Sequence, residues 1–229
     1  MSVGSYNRKI SAIWSADVAG YSRLMGDDEE KTVQTLTRYR EFMSGLIGQH
    51  RGRVVDSPGD NLLAEFSSVV DALRCAWDVQ QELANLNAEL ADNRRMRFRI
   101  GLNLGDVIEE QGSLYGDGVN VAARLEGLAE PGGIQVSGTV YDQVKNKLPY
   151  RFEFAGEQEV KNIKDPVRAY RVVMESGRPP GHIRNPARGR RFSGAGLFFL
   201  LAAAIAVLGL GFYYWVDMHG RSLSGRSPA

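Results

Sequence analysis

A single cysteine, Cys75, cannot close an intrachain disulfide, so nothing in this chain of 229 residues depends on an oxidising compartment. Cys75 lies in an apolar helical pattern and reads as a packing residue. The three histidines, His50, His182 and His219, are too scattered for metal-ligand spacing. Residues 1–20 lack an uninterrupted apolar run, so no secretory signal peptide is visible. A concentrated positive stripe is missing as well. Of the 28 Lys and Arg, seven lie beyond residue 176, and of the 27 Asp and Glu only one does, which leaves residues 1–176 with 21 basic and 26 acidic groups. A mildly acidic body without a basic footprint argues against nucleic acid as the partner.

What is present is the composition of a folded protein: 43% hydrophobic and 24% charged, with a net charge of +1. The β-branched and aromatic run from Lys9 to Ala16 predicts a buried strand ending at Asp17. Apolar residues at three- and four-residue steps, with acids in front, predict a helix over 28–48. Two short strand-like runs over 52–66 turn at Pro58-Gly59 and predict a hairpin, and a second helix follows over 68–90. Alternation of Met96, Phe98, Ile100, Leu102 and Leu104 with Arg97, Arg99, Gly101 and Asn103 predicts a half-buried strand, with turns at Gly105-Asp106 and Gln111-Gly112.

Next comes Tyr115-Gly116-Asp117-Gly118-Val119-Asn120-Val121-Ala122-Ala123-Arg124-Leu125-Glu126, a tight turn that opens a helix, with Asp117 placed to cap it. Val121, Leu125 and Leu128 would face a core. Asn120 and Arg124 stand one turn apart on another stripe, where a carboxamide and a guanidinium suit an anionic, hydrogen-bonding ligand. Taken alone, the pair reads more simply as a solvated surface, with Arg124 paired to Glu126 or a neighbouring acid. Pro131-Gly132-Gly133 ends this helix; a short strand at 134–136, a short helix capped by Ser137, and closing strands near 150–160 and 167–173 complete the pattern. The order implies an α+β fold: a ferredoxin-like β-α-β-β-α-β sheet core with appended β and α elements, and helices on one face.

In such a sheet the end of the first strand and the turn of the hairpin fall at one edge, so Asp17 and Asp60 should converge. Two carboxylates beside glycines suit a pair of divalent cations, Mg2+ or Mn2+, bound to phosphate oxygens. Ordinary turn acids remain the other reading.

The three motifs Asp17-Val18-Ala19-Gly20-Tyr21-Ser22, Gly59-Asp60-Asn61-Leu62-Leu63-Ala64-Glu65-Phe66 and Tyr115 to Arg124 together resemble the catalytic domain of class III adenylate/guanylate cyclases, over residues 8–173. The resemblance implies a homodimer that converts a nucleoside triphosphate, ATP, to its 3′,5′-cyclic monophosphate and pyrophosphate at the subunit interface. It implies that Asp17 and Asp60 hold two metal ions, that Asn120 and Arg124 of the other subunit orient the ribose and stabilise charge on the phosphates, and that Lys161 or its neighbour Lys164 binds phosphate. It also implies base contacts at Asp56 and Ser113. Here the chain departs from the adenylate-specific pattern, which has lysine at the first position and aspartate or threonine at the second. An ionised Asp56 cannot donate, but it could accept from a guanine edge. A guanylate cyclase, or a catalytically silent nucleotide-binding or regulatory module at the membrane, therefore stands as the alternative.

Beyond the domain (9–176, after a tail of residues 1–8), residues 177–193 form a basic, Pro/Gly-rich linker. Residues 194–216 carry no charge, a stretch of about 34 Å as a helix, which predicts a single transmembrane helix. The arginines before it place the catalytic domain on the cytoplasmic side of an inner membrane, and residues 217–229 form a short outer tail.

Overall fold

A computed structural model describes residues 7–160, 163 and 165–174. All of these fall in one compact unit, residues 1–181; a second unit, residues 182–229, lies outside them. The predicted linker, membrane helix and outer tail, and both Lys161 and Lys164, are thus outside the described residues. Among the described residues no helix is long and apolar enough to cross a membrane.

Strand β1 (Asn7–Val18) is followed by a short helix α1 (Tyr21–Asp27) and by α2 (Glu29–Gln49). The sequence pattern missed α1, whose start depends on Gly20 in the left-handed region at φ 72. Asp28 caps α2 by accepting from the Lys31 amide. Strands β2 (Gly52–Asp56) and β3 (Leu62–Phe66) form the expected hairpin, and α3 (Val69–Ala88) starts at Ser68, whose side chain accepts from the Asp71 amide. Strand β4 (Phe98–Glu110) is followed by β5 (Ser113–Tyr115), α4 (Asp117–Leu128), β6 (Ile134–Ser137), α5 (Gly138–Val144), β7 (Phe152–Gln158) and β8 (Val167–Val172).

The strand order is β2-β3-β1-β4-β6-β8-β7, with β5 paired to β4. The first four positions of that order are the ferredoxin-like core, all antiparallel neighbours. β6 then adds to β4 in parallel, making the sheet mixed.

Three expectations are corrected. Gly105-Asp106 is not a turn, because β4 runs through both residues. A Cβ at Gly105 would stand 3.0 Å from the Asn103 carboxamide nitrogen and 3.3 Å from the Gly118 Cα, so the glycine sits where the strand packs tightly against α4. Asp117 is not the cap of α4: Gly116, at φ 119, takes that position without a side-chain bond. Finally, the helices do not share one face. Ala12, Trp14, Ala16 and Val18 of β1 pack with α2, α3 and α5 in the main core, whereas Ile13 packs with Val107, Leu114 and Ala122 of α4 in a separate cluster. Successive strand residues point to opposite faces, so α4 covers the side away from α2 and α3. Cys75 is fully buried in the main core, and burial pushes its thiol up to about 12, the state of an inert packing residue.

Candidate active site

The site grows out of the α4 side of β1. Residues 11, 13, 15 and 17 of that strand alternate onto this face, and the β1–β4 register sets Asp17 opposite Arg99. The Arg99 guanidinium grips the Asp17 carboxylate with two bonds, Nε to Oδ1 at 2.9 Å and a second, shorter bond from Nη2 to Oδ2. The Arg99 pKa is raised, first by these bonds and further by the charges of Glu126 and Asp60.

Asp60 arrives from the hairpin turn, where Gly59 is left-handed at φ 56. Its Oδ2 accepts from the backbone amide of Val18, the residue after Asp17, at 3.3 Å. The predicted convergence of Asp17 and Asp60 is therefore present in the structure. The turn is fixed from outside by Arg40, which donates to the Gly59 carbonyl at 2.5 Å and to the Asn61 carbonyl at 2.8 Å.

Helix α4 lies across β4 so closely that a side chain at Gly101 is impossible without displacement. A Cβ there would stand 2.2 Å from the Ala122 carbonyl oxygen and 2.3 Å from the Glu126 nitrogen. The buried stripe of α4 comprises Gly118, Val121, Ala122, Leu125 and Glu126, the pattern of a helix seated on a sheet. Glu126 is only 6% exposed. Its Oε2 accepts from the Ser15 hydroxyl at 2.5 Å and from the Asn61 carboxamide at 3.1 Å. Burial, the largest influence, pushes its carboxyl up to about 7, with the Asp17 charge adding to the effect and the Ser15, Arg99 and Asn61 contacts opposing it.

Asn120 and Arg124 are exposed on the same helix, and among the described residues neither side chain makes a hydrogen bond or ion pair. The expected alternative, an Arg124–Glu126 surface pair, is overturned, since Glu126 is turned inward to Ser15 and Asn61. At about 100° per residue, Arg124 stands roughly 200° around the helix from Glu126 and Asn120 roughly 240°. The pair thus faces away from the sheet that carries Asp17 and Asp60 of the same chain.

Asp56 ends β2 just past a register shift, exposed, with one oxygen accepting from the Ser57 amide at 2.7 Å. Ser113 opens β5 opposite Glu110, and no hydrogen bond joins it to Asp56 among the described residues. The structure brings Asp17, Asp60, Arg99 and Glu126 together and leaves Asn120, Arg124, Asp56 and Ser113 facing outward or apart.

Sequence reasoning treated Arg99 as the polar phase of a strand and Glu126 as a possible surface partner. Finding Arg99 requires the β1–β4 register. Glu126 did carry a faint signal: it stands four residues after buried Ala122, an acid on the core-facing stripe.

No group of three or more His, Cys, Asp and Glu side chains that could hold a metal exists among the described residues. Two carboxylates nevertheless suit Mg2+, which keeps several waters and takes one or two protein carboxylates together with substrate phosphates. Both Asp17 oxygens are engaged by Arg99, so a cation at Asp17 would share or displace that grip.

Residues 5–174 match the family model described as the adenylate and guanylate cyclase catalytic domain. The chain is 44% identical over 171 residues to "Putative adenylate cyclase 3" of Rhizobium meliloti, a match covering 74% of this chain and 29% of that protein. "Adenylate cyclase 1" of the same organism is 27% identical over 189 residues, covering 74% and 28% respectively. The chain thus spans under a third of the length of these two relatives. A crystal structure titled adenylate/guanylate cyclase/hydrolase from Silicibacter pomeroyi superposes with a TM-score of 0.71 at 40% identity, over 75% of this chain and 100% of that one. The adenylyl cyclase CyaB from P. aeruginosa, at 22% identity and a TM-score of 0.67 over 77% and 100%, shares the fold.

Proposed function

The chain belongs to the adenylate and guanylate cyclase catalytic-domain family, and from that membership we propose that it converts ATP to 3′,5′-cyclic AMP and pyrophosphate at sites shared by two copies of itself. The observation that carries the reading is the meeting of the Asp60 carboxylate with the Val18 amide, which sets two carboxylates at one sheet edge. Asp17 and Asp60 would hold two divalent cations, Mg2+ or Mn2+, which when bound supply activation of the ribose 3′-oxygen and neutralisation of the triphosphate. Around them the chain's own groups bind and orient. Arg124 offers a fork of donors to phosphate oxygens as charge develops, and Asn120 offers a carboxamide to the ribose. Because both face away from their own Asp17, they serve the site of a second copy. Lys161 is the phosphate-binding lysine of this reading.

In-line displacement at phosphorus needs positioning and charge neutralisation more than a protein nucleophile, so the absence of any such nucleophile from this reading is no obstacle. Base choice rests on the names of the relatives, which favour ATP. Asp56 supports a second reading, GTP, because its carboxylate can accept from the guanine N1–H and amino group.

The test is cyclic nucleotide formation by the full-length protein given ATP or GTP with Mn2+ or Mg2+. Cyclic AMP as the main product is expected, and Asp56→Lys should raise the ratio of ATP to GTP turnover. Predominant cyclic GMP would select the second reading. No product from either triphosphate, with the dimer shown to be folded, would leave a silent regulatory module.

The uncharged run at 194–216 further supports single-pass anchoring in the inner membrane with the catalytic domain in the cytoplasm. Recovery of the full-length protein in the soluble fraction without detergent would overturn the anchor.

A further inference from the structure

Glu126 occupies none of the positions assigned to substrate or metal, yet it stands between them. A single oxygen, Oε2, accepts from Ser15 and from Asn61. Ser15 lies two residues before Asp17 on the same face of β1, and Asn61 directly follows Asp60. Both carboxylate-bearing segments of the chain are therefore fastened through one atom to α4. The opposite side of that helix presents Asn120 and Arg124.

The surroundings make this joint stiff. Gly101 leaves no gap between β4 and α4, Arg40 holds the hairpin through the carbonyls of Gly59 and Asn61, and Arg99 reaches from Asp17 to the Gly127 carbonyl at 3.4 Å. Packing alone would not call for an acid here, since an apolar side chain of similar volume avoids the desolvation that a buried carboxylate suffers. What the carboxylate adds is simultaneous attachment to two loops and strands that are 46 positions apart, Ser15 to Asn61.

We propose that Glu126 is a positioning residue that couples the two sites of a dimer, locking the metal-holding segments of one site to the helix that completes the other. This rests on the composite-site reading above. A displacement of Asp17 or Asp60 when one site is filled passes through Ser15 or Asn61 to Glu126, and from there to the Asn120 and Arg124 offered to the second site.

Mixed dimers of the full-length chain test it. When one copy carries Asp17→Ala and the other Arg124→Ala, a single site stays complete, its metal residues from the second copy and its helix from the first. Glu126→Leu in the metal-holding copy should raise the Mn2+ concentration for half-maximal activity about tenfold. In the helix-lending copy it should lower kcat about tenfold and leave the Mn2+ requirement unmoved. Asn61→Ala in the helix-lending copy, which alters only the dead site's hairpin, should lower kcat in the same direction. Glu126→Gln, whose amide oxygen can accept both bonds, should recover most of each loss. Electron paramagnetic resonance titration of the Glu126→Leu homodimer should show weakened Mn2+ binding independently of turnover.

The inference is overturned if Asn61→Ala and Glu126→Leu act only from the metal-holding copy. It is also overturned if both copies give the same undivided loss with a lowered melting temperature, or if Glu126→Gln fares no better than Glu126→Leu. Failure of the parent mixture to make product would instead strike the composite reading, and the inference with it.

Discussion

The two faces of strand β1 share one backbone and one set of ladder hydrogen bonds, but they answer to different physics. Residues 12, 14, 16 and 18 are fully apolar and pack against α2 and α3. Residues 11, 15 and 17 are polar, and each is satisfied by a partner far away in sequence: Ser11 by Glu65, Ser15 by Glu126, Asp17 by Arg99. One face holds the fold together. The other holds groups at fixed positions where a charged ligand can meet them. A face of paired polar groups contributes little net stability, since desolvation offsets most of what the pairs return, and so it is the face where geometry can be set by chemistry.

The contrast is broken most sharply by paired substitutions. Asp17→Ala should lower cyclase activity on the order of a thousandfold while costing only about 1–2 kcal/mol of stability, the share lost when the part-buried Arg99 is left without its carboxylate. Trp14→Ala, three residues away on the other face and 0% exposed, should cost about 3–5 kcal/mol of stability by leaving a cavity. Equilibrium denaturation alongside activity separates the two. Equal loss of stability in both variants would contradict the division of labour.

Gly101→Ala tests how firmly the polar face carries its helix. The added methyl meets backbone atoms of α4 that cannot swing aside, so the helix must lift, at about 1–3 kcal/mol of stability and with a larger loss of activity than of fold. Activity that falls no more than the folded fraction does would show that α4 tolerates displacement.

The smallest effect concerns pH. Glu65, 7% exposed, is pushed up by burial but more than restored by hydrogen bonds from Lys9, Ser11 and Arg53, so its pKa lies below the ordinary 4.5. A carboxyl whose folded pKa is lowered contributes stability that is present above the unfolded value and lost as pH falls through the folded one. Denaturant midpoints measured from pH 6 downward should therefore fall less steeply for Glu65→Gln than for the parent chain. Parallel curves would mean that the Glu65 cluster adds nothing to stability.

The two faces also differed in how legible they were. The apolar phase of β1, the helices over 29–49 and 69–88 and the hairpin could be read from period and turn chemistry, because those signals are local. Asp17 and Asp60 were legible through topology: once the strand order is ferredoxin-like, the strand end and the hairpin turn share an edge. Arg99 and Glu126 were not, since their meaning depends on a register pairing across 82 positions and on a helix packing across 111. The glycines misled for a related reason. Gly105 looked like a turn because glycine is a turn residue, whereas here it sits where the strand packs tightly against α4, a closeness that only the packed structure expresses.

The central claim is that the catalytic groups are divided between two copies, with Asp17 and Asp60 from one and Asn120 and Arg124 from the other. Mixing full-length Asp17→Ala and Arg124→Ala proteins, each inactive alone, tests it most directly. Random exchange in a two-fold dimer should restore about a quarter of the parent activity, because half of the dimers then hold one complete site of two. A mixture as inactive as its components, with exchange of subunits demonstrated, would contradict it.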